Sequence, residues 1–230
     1  MPDHQPVELE FSRKYDQEHA QYYLDKHRTG IACRLSNWLD QRVARRALQL
    51  AGNPREVLDL PCGAGRFWSL LCERPDRVIL AADNSADMVA AAQAGQPPEV
   101  VARVKKAFQT SAFAIDLADG AVECVFCIRL LHHIESSEHR LTILREFHRV
   151  SRDTVILSLW VDGNYKAWKR RRNEERRAGK EGGGEHQNRY LVARQVIEDE
   201  FRQAGFAIVG HVDFLPGYAM WRTYVLRKKN

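Results

Sequence analysis

Two acids and two glycines stand at a spacing that suits a ligand with an ammonium group and a ribose. The apolar residues 57–60 contain Asp59 and lead into Gly63 and Gly65. This pattern predicts a buried strand, a tight turn and a helix start whose free N–H groups face the ligand. Asp59 is placed to pair with the ammonium group. Asp83 ends the next apolar run, about 20 residues after the turn, which suits a ribose.

The residue three places after Gly65 separates two kinds of cofactor. A dinucleotide-binding turn has a third glycine there, so that the helix can pack tightly on the strand. This chain has Trp68 instead, and the bulk of its side chain argues against NAD and FAD. An ammonium site beside a ribose site fits S-adenosylmethionine better than a dinucleotide.

On these residues the chain resembles the class I S-adenosylmethionine-dependent methyltransferases, whose first motif typically reads Asp-x-Gly-x-Gly-x-Gly. Pro61 replaces the first glycine; it can hold a turn but it removes an N–H group. The resemblance implies S-adenosylmethionine as the cofactor, bound at the ends of the first four strands. The predicted cofactor-binding residues are Asp59, Pro61, Cys62, Gly63, Gly65, Asp83, Asn84, Met88, Ser111, Ala112, Phe113 and Arg129.

The roles of three of these residues stay open. Asp83 could cap the following helix instead of binding ribose, and Met88 could simply pack within that helix. Many members of the family have an acid after strand three that accepts from the adenine amino group. Ser111 holds that place here and is a weaker acceptor, so adenine recognition would depend more on the backbone and on Phe113 packing.

Apolar runs alternate with helical patterns along most of the chain, which indicates a parallel sheet covered by helices. The last two runs are joined by only four residues, so they must form an antiparallel pair. We predict strands at 56–60, 78–82, 100–108, 122–128, 154–160, 206–214 and 219–227. The predicted fold is α/β, with a Rossmann-like, seven-stranded, mostly parallel sheet that ends in an antiparallel hairpin, as the resemblance also implies.

Two segments of the chain are predicted to lie outside this sheet. Residues 1–52 are predicted to form an N-terminal helical lid, and residues 53–230 the methyltransferase domain. Within that domain, residues 162–190 form an insertion after strand five with nine Lys/Arg against five Asp/Glu. The lid residues predicted to bind substrate, or else to form a plain packing seam, are Tyr15, Tyr22, Tyr23 and His27.

The basic insertion is predicted to hold the substrate. Arginine forks match phosphate and carboxylate groups, so Arg170, Arg171 and Arg172 are candidate ligands of an anionic acceptor. A solvated surface helix would carry the same charges without that role. RNA binding is less favoured, because the chain has no recognisable RNA-binding module.

Strand four is followed by His132 and His133, which are candidate catalytic residues. An unperturbed imidazole titrates near ~6.5 and can take a proton from an oxygen acceptor at neutral pH. In many members of the family a histidine here is instead a wall of the pocket. Amino-directed nucleic-acid methyltransferases have an Asn/Asp-Pro-Pro-aromatic motif at this place, which the chain lacks. Oxygen is therefore the favoured methyl-accepting atom.

Composition indicates where the protein is found and which cysteine chemistry it lacks. The chain has 230 residues, of which 44% are hydrophobic, and a net charge of +5. It shows neither a signal peptide nor an apolar run of the ~20 residues that would span a bilayer, so we expect a cytoplasmic protein. Cys124 and Cys127 fall on opposite faces of a strand, so we expect neither a metal site nor a disulfide.

Together these features predict methyl transfer from S-adenosylmethionine to a small or glycan-like, anionic acceptor. An RNA methyltransferase that uses the basic insertion is one alternative. The other is a non-catalytic protein of the same fold that binds the cofactor or a partner. The identity of the acceptor and the oligomeric state stay open at this point.

Overall fold

The computed structural model describes residues 31–178 and 189–229. In this part of the chain seven strands form one sheet with the order β3-β2-β1-β4-β5-β7-β6. The strands are β1 (Glu56–Asp59), β2 (Val78–Asp83), β3 (Val104–Gln109), β4 (Val122–Cys127), β5 (Ser151–Trp160), β6 (Phe206–Asp213) and β7 (Trp221–Lys228). The first five pair in parallel, and β7 runs antiparallel to β5 and β6. The predicted sheet is therefore confirmed.

Helices pack on both faces of this sheet. They are α1 (Ile31–Leu50), α2 (Trp68–Leu71), α3 (Ala86–Gly95), α4 (Pro98–Val101), α5 (Ser137–Val150), α6 (Tyr165–Ala178) and α7 (Arg194–Gln203). Ala47 of α1 is buried in one core with Val57 of β1. On the other face, Phe147 of α5 and Phe201 of α7 are buried with Leu58. Neighbouring residues of β1 thus enter different cores, as strand geometry requires.

Two predicted strand boundaries shift for local reasons. The prediction that strand three begins at residue 100 is wrong, because Pro98 starts the short helix α4 and β3 begins only at Val104. Proline suits the first turn of a helix, where its missing N–H has no partner to lose. β5 begins at Ser151, earlier than predicted, because Ser151 pairs with Val122 of β4.

The two cysteines of β4 face opposite sides of the sheet, as their spacing predicts. Cys124 belongs to the core beneath α1, and Cys127 belongs to the core beneath α5. Burial raises the pKa of both thiols, that of Cys124 to about 12. Both side chains therefore act as small apolar groups.

The predicted lid residues Tyr15, Tyr22, Tyr23 and His27 lie outside the described residues. The helix α1, which falls within the predicted lid segment, buries Ala44, Ala47 and Leu48 against the sheet. No helix within residues 31–178 and 189–229 has both the length and the apolar character that crossing a membrane requires.

The strand order reverses between β1 and β4. β2 and β3 extend the sheet on one side of β1, whereas β4 and β5 extend it on the other. Ligands of open α/β sheets bind beyond the carboxyl ends of the strands at such a reversal. The segments that follow Asp59 and Cys127 are therefore where a site is expected.

Candidate functional site

The turn after β1 is shaped by its two glycines. Gly63 and Gly65 have φ angles of 52° and 72°, in the left-handed region that favours glycine. A Cβ on Gly65 would lie 2.9 Å from Gln96 Cγ and 2.9 Å from Trp68 Cδ2, whereas a Cβ on Gly63 would meet only Met88 Cε, at 3.7 Å. Gly65 thus allows close packing on Trp68, and Gly63 faces a less crowded space beside Met88.

Neighbouring elements fix this turn in place. Gln96 donates from Nε2 to the carbonyl of Ala64 at 2.8 Å. The N–H of Cys62 donates to Ala82 of β2 at 2.8 Å, directly after the cis Leu60–Pro61 bond. The predicted members Pro61 and Cys62 therefore belong to a turn that is held from two sides by the protein itself.

Asp83 holds the turn from the neighbouring strand. Its Oδ2 accepts the N–H of Gly63 at 2.9 Å, and its Oδ1 accepts the N–H of Ser85 at 3.0 Å. Ser85 in turn caps α3 by accepting the N–H of Met88. Burial raises the pKa of Asp83, and the backbone bonds oppose that rise. Each carboxylate oxygen keeps a lone pair, so a ribose hydroxyl can still donate to it.

Asp59 lies in a different environment. Its side chain is 1% exposed, and its Oδ2 has no hydrogen-bond partner within the described chain. Burial, then the charge of Asp83, raises the pKa of Asp59 well above its usual range, and the Trp68 indole opposes part of the rise. A buried acceptor without a donor is costly. The ammonium group of S-adenosylmethionine would supply that donor, so this carboxylate fits the cofactor that the motif implies.

We predict that amide substitutions of Asp59 and Asp83 have opposite effects on the stability of the ligand-free protein. Asp59→Asn removes a carboxylate whose ionisation is unfavourable in the fold, so we expect a higher melting temperature at neutral pH. Asp83→Asn puts an amide NH₂ group against a backbone N–H, which should cost about 1–3 kcal/mol of unfolding free energy. Both variants should bind S-adenosylmethionine more weakly in calorimetry.

The sign of the pH dependence follows from the raised pKa of Asp59. The Asp59 side chain contributes its full stability below a pH of about 3.9, the pKa of an aspartate in the unfolded chain. This stability is lost as the pH rises through the raised pKa that Asp59 has in the folded protein. The advantage of Asp59→Asn should therefore be large at neutral pH and vanish near that lower limit. A lower melting temperature for Asp59→Asn at neutral pH would contradict this account of the site.

The predicted adenine end lies beside Asp83. Asp83 pairs with Gln109 at the end of β3, and the chain then turns. Ser111 Oγ accepts the N–H of Phe113 at 3.2 Å, so one of its lone pairs serves its own turn. Ala112 is buried and Phe113 is partly buried. The backbone and the Phe113 ring are thus the main surfaces that this segment offers.

Two further predicted residues flank the glycine turn. Met88 is buried against Ala64 of the turn. Asn84 is exposed, and its carbonyl accepts from Gln109 Nε2 at 2.9 Å. The structure thus brings Asp59, the glycine turn, Asp83 and Met88 together at the carboxyl ends of β1 and β2.

Arg129 connects this region to the end of β4. It adopts a left-handed φ of 68°, and its N–H donates to Ser158 Oγ at 2.9 Å. Its guanidinium pairs with Asp40 of α1 at 2.6 Å, and Arg66 pairs with the same carboxylate oxygen. One acid of α1 therefore joins the glycine turn to β4. The sequence reasoning missed Asp40 and Arg66, because nothing local distinguishes them from ordinary charges on a helix surface.

An open pocket lies beside this network. It is enclosed by α1, by Phe67 and by the carboxyl ends of β4 and β5, with β7 completing the wall. Arg129, Ser158 and Trp221 line it. The pocket therefore extends from Phe67 toward the beginning of β7.

The two candidate catalytic histidines lie in the 3₁₀ turn Leu131–His133. Their ring centroids are 3.9 Å apart, and the ring of His132 lies 4.6 Å from that of Trp221. Burial, aided by His133, Arg189 and Arg129, lowers the pKa of His132 to about 2. His132 is then a neutral and very weak base at physiological pH. His133 is partly exposed and is the better placed of the two to exchange a proton with solvent.

Two indole rings form a wall at the carboxyl end of β5. Trp160 and Trp221 are opposite each other in the β5–β7 pair, with ring centroids 5.6 Å apart. Arg129 lies 5.0 Å above Trp221, and Arg170 and Arg189 lie 5.3 and 5.8 Å above Trp160. We call these five residues the tryptophan–arginine cluster. The sequence reasoning named Arg129 and Arg170 but missed the other three.

The structure separates the three arginines predicted to bind substrate. Arg170 belongs to the tryptophan–arginine cluster and pairs with Glu174 at 2.8 Å. Arg171 instead pairs with Asp162, and Arg172 lies over Trp168. Consecutive residues of a helix point in different directions, so only Arg170 of the three faces the indole wall.

The sequence match of this chain, like many of its structural matches, is to methyltransferases. The sequence of residues 57–154 matches the family described as "Methyltransferase domain". No curated protein matches the chain. Among solved structures, magnesium protoporphyrin IX methyltransferase from Synechocystis PCC 6803 with bound SAH is 17% identical and has a TM-score of 0.68, over 87% of this chain and 89% of that one.

Two other solved structures have the same fold. A SAM-dependent methyltransferase from Aquifex aeolicus is 16% identical, with a TM-score of 0.64 over 94% of this chain and 100% of that one. A possible histamine N-methyltransferase from Thermotoga maritima is 14% identical, with a TM-score of 0.60 over 93% and 98%. At such identities these likenesses establish the fold and leave the acceptor open.

The match covers the residues that carry the first motif. It begins in β1, includes the glycine turn and both acids, and ends in β5. The sheet around it is mostly parallel and has the antiparallel end that the resemblance predicts. Residues 57–154 therefore match a methyltransferase domain, and the fold around them is that of solved S-adenosylmethionine-dependent methyltransferases.

Proposed function

We propose that this protein transfers the methyl group of S-adenosylmethionine to an oxygen atom of an anionic acceptor that binds at the tryptophan–arginine cluster. The small or glycan-like acceptor expected from the sequence meets this description. The observation that supports it is the convergence of three guanidinium groups on two adjacent indole rings. The planar guanidinium group of arginine can donate two parallel hydrogen bonds to a carboxylate or phosphate group.

The charge around the cluster favours an anion. Arg129 and Arg170 are each paired with one acid, Asp40 and Glu174. Arg189 forms no ion pair within the described residues. Its positive charge, together with that of Arg129, contributes to the low pKa of His132. A bound anion would therefore meet a net positive field beside Arg189, whose side chain is exposed.

S-adenosylmethionine supplies a methyl group attached to a positively charged sulfur. Asp59 and Asp83 would hold its ammonium group and its ribose, while the tryptophan–arginine cluster would hold the acceptor across the end of β4. In such a reaction, alignment of the methyl donor with the acceptor supplies a large part of the rate enhancement over the uncatalysed reaction. His133 would accept the proton of a hydroxyl acceptor, whereas a carboxylate acceptor is already ionised and needs no base.

We expect Arg189→Gln to raise the KM for the acceptor about tenfold or more, because a hydrogen bond to a charged group is worth about 1.5–3 kcal/mol. Since the cation binds the anion equally in ground and transition states, kcat should change little. The measurement is transfer of tritium from methyl-labelled S-adenosylmethionine to metabolite fractions separated by charge, followed by kinetics on the labelled acceptor.

Arg176→Gln is the matched control, because Arg176 is exposed on α6 and has no ion pair within the described chain. Its KM should equal that of the parent protein. Label found only in neutral acceptors, or an equal effect of both substitutions, would contradict the proposed acceptor class. An RNA acceptor would instead show a steep loss of binding with salt, since counterions are released from each neutralised phosphate.

A further inference from the structure

Four exposed apolar side chains gather where α6 begins. Tyr165, Trp168, Tyr218 and Leu215 are all exposed, Trp168 by 55%. The N–H of Tyr165 donates to the carbonyl of Gly217 at 2.9 Å, which ties the first turn of α6 to the loop between β6 and β7. These four residues therefore form one surface, which we call the aromatic patch. Contiguous exposed apolar patches commonly mark interaction sites.

Cations surround the aromatic patch. Lys166 lies 5.4 Å above the Tyr218 ring, and Arg172 lies 5.3 Å above the Trp168 ring. Lys169 lies on the same helix and is exposed. None of these three cations forms an ion pair with an acid of the described chain. The patch thus combines apolar rings with positive charges that the protein does not neutralise.

The arrangement of the rings distinguishes between two kinds of anionic partner. A platform for single-stranded nucleic acid presents free ring faces on which bases can stack. Here Tyr165 and Tyr218 stack on each other at 5.7 Å with an interplanar angle of 13°. Lys166 and Arg172 lie over the faces of Tyr218 and Trp168. Each of these three rings therefore has another side chain over one face, which leaves less ring surface for bases to stack on. The exposed aliphatic Leu215 beside them offers no stacking surface and favours contact with lipid.

We propose that the aromatic patch docks the protein on a bilayer surface that contains anionic lipids. Tyrosine and tryptophan favour the level of the headgroups, where their rings are buried and their polar atoms stay hydrated. Lysine and arginine next to such rings are attracted to anionic headgroups. This docking is peripheral, and it is independent of the acceptor proposed above.

The test is flotation of the full-length protein with vesicles of phosphatidylcholine, with or without phosphatidylglycerol. We expect binding to the anionic vesicles and little to the neutral ones. Trp168→Ala should weaken binding about tenfold, because the apolar contact with lipid is lost. The double variant Lys166→Gln/Lys169→Gln should weaken it on the order of 25-fold, since each basic residue near the surface contributes about a factor of five.

Trp38→Ala is the matched control. Trp38 is 54% exposed on α1 and has Arg42 above its ring at 5.6 Å, as Trp168 has Arg172. Its replacement should leave vesicle binding unchanged. Failure of the parent protein to bind anionic vesicles, or equal losses for Trp38→Ala and Trp168→Ala, would overturn the proposal. A labelled oligothymidylate that binds the parent protein but not Trp168→Ala, with no vesicle binding, would assign the patch to nucleic acid instead.

Discussion

Replacing Glu200 with glutamine is expected to lower the free energy of unfolding by about 3–5 kcal/mol, the cost of leaving one member of a buried ion pair unpaired. Glu200 of α7 accepts two bonds from Arg140 of α5, from Nε at 2.8 Å and from Nη2 at 2.6 Å. Each side chain is only 5% exposed. Such a loss is a large part of the stability of a typical domain, and urea denaturation would measure it.

The same pair supports the site. Arg140 also donates from Nη1 to the carbonyls of Ile134 and Glu135, at 3.0 and 2.7 Å. These carbonyls directly follow the histidine turn. Since Arg140 is oriented by Glu200, the substitution should also loosen the turn and lower methyl transfer under conditions where the protein is still folded.

The neighbouring residue provides the control for Glu200→Gln. Asp199 pairs with Arg202 on the surface of the same helix, and its side chain is 58% exposed. Exposed pairs are worth roughly 0.2–1 kcal/mol, so Asp199→Asn should change the unfolding free energy by no more than that. Equal effects of the two substitutions would mean that burial of the Arg140–Glu200 pair has no special importance.

The cofactor side of the site was predictable because its residues are close in sequence or end adjacent strands. The glycine turn follows β1 directly, and Asp83 ends the strand that pairs with β1. Local rules for strands, glycine turns and helix caps place all of these residues. What the sequence could not provide is the hydrogen bond from Gly63 to Asp83, by which this acid holds the glycine turn.

The tryptophan–arginine cluster was much less predictable, because its residues come from distant parts of the chain. Trp221 meets Trp160 only because β7 pairs with β5 in one particular antiparallel register. A shift of one residue would turn the Trp221 side chain to the other face of the sheet. Arg189 reaches the same indole ring from the end of the basic insertion. A run of arginines in the sequence does not reveal which member faces inward, since that depends on how α6 is rotated against the sheet.

His133→Asn is expected to lower kcat on the order of 100- to 10,000-fold if the acceptor is a hydroxyl group, which is the usual contribution of a general base. We choose His133 rather than His132 as the base, because His132 is 3% exposed and has a pKa of about 2. The KM should change much less than kcat, since in the proposed complex the tryptophan–arginine cluster, and not the imidazole, would hold the acceptor.

His211→Asn is the control for a general effect of replacing a histidine with asparagine. His211 is exposed on β6, so His211→Asn should keep the parent kcat and its pH profile. The size of the effect of His133→Asn also reports the nature of the acceptor, because a carboxylate oxygen carries no proton at neutral pH. With a carboxylate acceptor, the variant should retain nearly the full kcat and His133 would serve only as a wall of the site. A parent-like kcat with a hydroxyl acceptor would rule out His133 as the base, and solvent would then have to take the proton.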